Sequence, residues 1–123
     1  MKFYVLLCMI FMHIVDDYYL QGILASMKQR SWWEKNAPQE KYKYDYLAAL
    51  IAHSFSWAFM VLLPFAFSLK SIDFSFFILF FINMIGHAIV DNEKANRKTI
   101  NLCEDQFVHL IQIILSWLYL FIN

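Results

Sequence analysis

Residues 46–69 read YLAALIAHSFSWAFMVLLPFAFSL, a run without a single Asp, Glu, Lys or Arg. Crossing the roughly 30 Å hydrocarbon core of a bilayer takes about 20 helical residues of this kind. The stretch therefore reads as a transmembrane helix, with a kink expected at Pro64. Working outward from it, three further stretches have the length and apolarity to span, at about 3–26, 72–90 and 102–122. The first begins Met1-Lys2 and could be mistaken for a secretory signal, but Asp16-Asp17-Tyr18-Tyr19-Leu20-Gln21 stands where a small-residue cleavage site would be needed. It reads as a retained helix. Asn101 and Glu104 have capping-box spacing at the start of the last.

The fold expected from this pattern is all-α: a polytopic membrane protein, a four-transmembrane-helix bundle forming a single domain over residues 1–123, with links at 27–45 and 91–101. Composition agrees. The chain is 61% hydrophobic and only 16% charged, too few charges to cover a soluble surface of this size. Net charge is zero and no basic face runs along a helix, which excludes nucleic acid as a partner. Cys8 and Cys103 have no metal or disulfide spacing and read as packing residues. A short turn, Lys70-Ser71, makes the second and third helices a hairpin. The link 27–45 carries Trp32-Trp33, a pair suited to the membrane interface.

Eight of the ten Lys and Arg residues fall in the links, at Lys28, Arg30, Lys35, Lys41, Lys43, Lys94, Arg97 and Lys98; Lys2 and Lys70 fall at the other end. The positive-inside bias predicts an inner (cytoplasmic) membrane protein with both links in the cytoplasm and both termini outside.

Ionisable residues inside a bilayer are costly and rarely face lipid. Here they recur in pattern: His13-x-x-x-Asp17-x-x-x-Gln21, then His53, then Asn83-x-x-x-His87-x-x-x-Asp91, then Asp105-Gln106-x-x-His109. Residues four apart share a helix face, so each set is a stripe. Helices one and three read His then Asp, and helix four, running the other way, reads Asp then His; the histidine is the deeper member each time. Counted at about 1.5 Å per residue from the nearest link lysine, His53 and His109 both lie roughly 15 Å deep. The sequence predicts a layer of four histidines with carboxylates on its cytoplasmic side. Gly22 and Gly86, beside this layer, read as places of close helix approach.

The plain account of such a layer is interhelical hydrogen bonding, a modest glue in membrane bundles. The sharper account is one or two divalent metal ions held by His13, Asp17, His53, His87, Asp91 and His109, because so many desolvated ionisable groups need a counter-charge. An all N/O ligand set suits zinc, manganese, iron or nickel and argues against Cu(I).

At these same residues the chain resembles the bacterial and phage integral membrane proteins of the domain of unknown function 3307 family. The resemblance covers nearly the whole chain and lies in four ordered motifs, from His13 to Gln21, at His53, from His87 to Asp91 and from Asp105 to His109. The extra acid Asp16 and the pair Asn92-Glu93 depart from that pattern. The resemblance implies membrane topology and a shared polar site.

The activity expected from the residues is metal-dependent hydrolysis at the cytoplasmic leaflet, on a lipid or lipid-linked substrate, with Asp105 as general base or orienting carboxylate. Lys28 and Arg30 read as solvated interface anchors. Two other classes compete: a small proton or metal-ion transporter or channel, which would need a homo-oligomer, and a phage or accessory protein whose His/Asp pairs are structural. A transporter needs polar residues continuing to the outer face; the outer segments 57–67 and 113–121 are almost wholly apolar, which favours a one-sided site.

Overall fold

The computed structural model describes residues 1–68 and 71–122. Leu69, the expected end of the second helix, and Lys70 of the expected turn lie outside them. Six α-helices are described: α1 Lys2–Val15, α2 Leu24–Met27, α3 Arg30–Asn36, α4 Asp45–Ala66, α5 Phe74–Asn92 and α6 Leu102–Ile122. A π-helical turn, Asp16–Leu20, extends α1, and a second, Glu93–Arg97, extends α5. Among the described residues four helices are long and apolar enough to cross a membrane, Lys2–Leu20, Glu40–Ala66, Phe74–Arg97 and Leu102–Ile122. The chain is a multi-pass membrane protein built as a four-helix bundle. The spanning helices close into a ring in which α1 and α5 each pack against both α4 and α6.

Several ends follow from local chemistry. Asn101 Oδ1 accepts from Glu104 N at 3.0 Å while Glu104 Oε2 accepts from Asn101 N at 2.8 Å, so the expected capping box forms. Asp73 caps α5 by accepting from Phe76 N. Its hydrogen bond from Ser75 Oγ, with that backbone bond, holds its carboxyl below the usual range. Pro64 falls in the last turn of α4, which ends at Ala66. The first helix stops short of the expected Ser26 because Gly22, at φ +51°, turns the chain through the left-handed region that glycine tolerates. Gly22 is thus a turn residue, not the site of close helix packing expected of it. Cys103 is exposed, so the packing role expected of it does not hold.

The bundle divides along its length. Near the end carrying the termini, Val5, Met9, Val61, Leu62, Phe65, Ile113 and Leu120 form an apolar core. Toward the end carrying the links, the buried stripes turn polar. The buried residues of α5 are Asn83, His87 and Asp91, whereas its exposed positions include Phe77, Ile78, Phe81, Ile82, Ile85 and Ile89. This inversion suits hydrocarbon, where exposed apolar side chains carry no penalty and polar groups must find partners inside.

Gly86 has a specific reason to lack a side chain: a Cβ there would lie 2.6 Å from Gln112 Nε2. The Gln112 amide uses that space to reach His109 Nδ1 through Oε1 at 3.1 Å and the Asn83 carbonyl at 3.4 Å. Gly86→Ala is therefore expected to be less favourable by about 1 kcal/mol in wild type than in a Gln112→Ala background. A double-mutant cycle of unfolding in detergent measures this. Equal effects in the two backgrounds would show that Gly86 does not serve Gln112.

Candidate functional site

The four histidines meet. His87 and His109 stack with ring centroids 4.2 Å apart, and Trp57 stacks on His87 at 4.3 Å and lies tilted against His109 at 5.2 Å. His53 lies edge-on to His87, and His13 edge-on to His109. All four are at most 2% exposed. The carboxylates of Asp16, Asp17, Asp91 and Asp105 surround them, also buried.

The site has two sides. On one, His53 Nε2 and His87 Nε2 approach to 3.2 Å, Asp17 Oδ1 lies 3.3 Å from His53 Nε2, and Asp91 Oδ2 lies 3.6 Å from the same nitrogen. Ligand atoms from Asp17, His53 and His87 all fall within 4.8 Å of one another. Around a tetrahedral ion with bonds of about 2.0–2.1 Å, neighbouring ligand atoms sit about 3.3 Å apart. The two shorter contacts match that spacing; His87 Nε2 to Asp17 Oδ1, at 4.0 Å, is wider. Asp17 Oδ1 has no aligned hydrogen bond, nor do His53 Nδ1 and Asp16 Oδ2, which face each other at 3.6 Å. Asp16 is thus placed to orient His53 from behind, as a carboxylate does for a metal-binding imidazole.

On the other side, His13 has both nitrogens engaged. Trp57 Nε1 donates to its Nδ1 at 2.8 Å, so the ring proton is on Nε2, which donates to Gln106 Oε1 at 3.0 Å. Gln106 Nε2 in turn donates to Asp105 Oδ2 at 3.0 Å and reaches Asp17 Oδ2 at 3.3 Å. Asp105 Oδ2 also accepts from Lys94 at 2.7 Å, while its Oδ1 lies 3.3 Å from His109 Nε2. Of the six expected metal ligands, then, Asp17, His53, His87 and Asp91 share one side, while His13 and His109 stand on the other. Asp105 faces His109, away from the group of converging ligand atoms.

Several residues that shape the site were not assigned to it from sequence. Lys28, expected as a solvated anchor, is 6% exposed and donates to Asp91 Oδ2 at 2.7 Å. Lys94 lies 3.5 Å from Asp91 Oδ1 as well as holding Asp105. Asp16 accepts a hydrogen bond from Ser56 Oγ. Asp16 and Asp17 stand three and four residues after His13, so both fall on its face of the helix and both are buried. Trp57, four residues after His53, lay on a readable stripe. Gln21, the last member of the first stripe, folds back onto the Asp17 carbonyl instead.

The charges can be balanced by inspection. Four buried carboxylates face two lysines, so with neutral imidazoles the site carries a residual charge of minus two, that of one divalent cation's counter-ion set. Lys28→Ala is expected to destabilise the fold by about 3 kcal/mol by stranding Asp91, with much of the loss recovered in Lys28→Ala/Asp91→Asn. Unfolding in detergent reads this directly; a neutral Lys28→Ala would return Lys28 to the membrane surface.

No curated protein and no solved structure matches the chain. A family profile described as Protein of unknown function (DUF3307) does match, over residues 5–123, a span that contains the four ordered motifs. The chain belongs to the DUF3307 family.

Proposed function

We propose that this protein is an intramembrane hydrolase dependent on a divalent metal ion, acting on a lipid or lipid-linked substrate at the cytoplasmic leaflet of the inner membrane. The observation that carries the reading is the convergence of Asp17 Oδ1, His53 Nε2 and His87 Nε2 on one point inside the bundle. Asp91 is within reach of the same point, held by Lys28. The donor set is nitrogen and oxygen, which suits zinc, manganese or iron.

When bound, the ion supplies Lewis acidity and lowers the pKa of a water toward about 7. The chain's own residues do the rest. Asp16 fixes the His53 ring, and Trp57 fixes both His87, by stacking, and His13, by its N–H. Asp91, held by Lys28 within reach of the same point, is placed to accept the proton that water gives up as its oxygen bonds to the acyl carbon or phosphorus. The ester C–O or P–O bond breaks, and that proton passes to the departing oxygen. Asp105, 3.3 Å from His109 Nε2, is the orienting carboxylate for that ring.

A second reading, passage of protons or metal ions, draws on one observation. From His109 a polar ladder continues toward the terminal end, through Gln112 to Asn83, whose Nδ2 donates to Ser116 Oγ at 2.8 Å. The outer segments 57–67 and 113–121 look apolar in sequence because of these residues only Ser116 falls within them. In this reading Asn83→Leu abolishes ion flux in proteoliposomes; in the hydrolase reading there is no flux to abolish.

Two measurements test the proposal. Purified protein is expected to hold about one equivalent of zinc, manganese or iron, with His53→Ala and His87→Ala lowering metal content and thermal stability together, because binding energy is folding energy. Asn83→Ala should keep its metal. Wild-type protein that takes up no divalent ion, and is no more stable when soaked with one, sinks the hydrolase. For orientation, a cysteine at Gln39 should be labelled by an impermeant maleimide only after the cells are permeabilised. Labelling in intact cells would place the links outside and move the site to the other leaflet.

A further inference from the structure

Between α1 and α6 a groove of about 540 Å³ opens sideways from the bundle, walled by Ile10, Ile14, Tyr18 and Leu110, with His13 and Gln106 at its floor. We infer that this groove seats an acyl chain of a glycerolipid, and that the lipid's ester reaches the site through it; the inference rests on the hydrolase reading and names its substrate class.

The bilayer is what covers this face, since both walls are membrane-spanning helices. Any groove on such a bundle meets lipid, but this one has a polar floor continuous with the site. Gln106 spans from the groove to Asp17 Oδ2, and the other oxygen of that same carboxylate faces His53 and His87. The separation between groove and candidate ligand cluster is therefore one carboxylate.

Depth selects the lipid. Tyr18 and Tyr19 are exposed at the link end of the first span, where amphipathic rings settle at the headgroup level. His13 lies about one helical turn deeper than Asp17. An ester at the boundary of headgroup and hydrocarbon falls between these two levels, with its chain running on along Ile14 and Ile10. A polyprenyl phosphate would instead keep its reacting phosphate at the tyrosine level.

The floor also offers the right hydrogen-bonding chemistry. Because Trp57 donates to His13 Nδ1, His13 Nε2 carries a proton, and its acceptor is Gln106 Oε1. A substrate carbonyl oxygen can take the place of Gln106 Oε1 on that N–H without stranding a buried donor. Gln106 is then a gate whose amide swings aside as the ester arrives, and His13 is a positioning residue toward the groove.

The test places a benzophenone-bearing residue in turn at Ile14 and Leu110, and at Phe77 and Ile85 on the lipid-facing side of α5. The full chain is irradiated in the membranes that express it, purified, and its adducts identified by mass spectrometry. Glycerolipid adducts several-fold more abundant at Ile14 and Leu110 are expected. Even labelling at all four positions overturns the groove, and polyprenyl adducts in place of glycerolipid overturn the occupant. Should a benzophenone variant fail to fold, native mass spectrometry of wild type against Ile14→Trp serves instead: the wild type should retain a glycerolipid in detergent and the groove-filling variant lose it. Equal retention overturns the inference. Metal content measured on the same samples separates the two readings, since groove labelling on metal-free protein sinks the hydrolase and leaves the lipid site standing.

Discussion

Four carboxylates buried among four helices set the terms for the rest of this molecule. An uncompensated charge in a low-dielectric interior costs several kcal/mol even after relaxation, so each carboxylate must find a positive partner or a dense set of donors. Lys28 and Lys94 meet part of that demand, and both do so from outside the regular α-helical spans. Lys28 reaches in from the end of α2 and Lys94 from the π-helical turn after α5. The link end of the bundle is shaped by this need: the chain turns at Gly22, brings Lys28 back over Asp91, and is pinned there by Asn96, which donates to the Lys28 carbonyl and accepts from Arg30 N. A conventional apolar bundle would need none of these devices.

Two π-helical turns mark the link end, each where a spanning helix leaves the bundle. Asp16, three residues after His13, and Lys94, three after Asp91, fall on the buried face by ordinary helical spacing. The apolar half has no such irregularity among the described residues of α5 and α6, where packing of Ile113, Leu120 and their neighbours against α4 asks only for regular helices.

This division explains what the sequence could and could not reveal. The spans were legible because hydrocarbon thickness sets helix length, and the fourth was read to its observed ends because Asn101 and Glu104 mark its start by their own hydrogen bonds. The stripes of His13 and Asp17, His87 and Asp91, and Asp105 and His109 were legible because a four-residue spacing is a statement about one helix face. Asp16, three residues after His13, shares that face too, and its inward direction was as legible as that of Asp17; only its partner Ser56, on another helix, was not. Lys28 looked like any solvated lysine of a link; its burial depends on a reversal of the chain and on a partner 63 residues away. Gly86 reads in sequence as a glycine beside a histidine, but its purpose, room for an amide from α6, is a tertiary fact. Depth along the helix could be counted from the sequence; which side of the site each histidine occupies could not, because that depends on the order of helices around the ring.

That order has a chemical consequence. α1 lies between α4 and α6, so its one short segment from His13 to Asp17 serves both sides of the site at once. Asp17 Oδ1 faces the imidazoles of α4 and α5, while Asp17 Oδ2 receives the amide of Gln106 on α6. A change at the α6 wall, such as the displacement of Gln106, is therefore felt at the carboxylate that faces His53 and His87 without any helix having to move. A buried polar layer that were only glue would gain nothing from such an arrangement, because hydrogen bonds between fixed partners hold helices equally well in any order. Joining a side groove to a converging set of ligand atoms through a single carboxylate is the arrangement the proposed hydrolase needs, since its ester would arrive from the groove and its chemistry would draw on the site as a whole rather than on any one pair of residues.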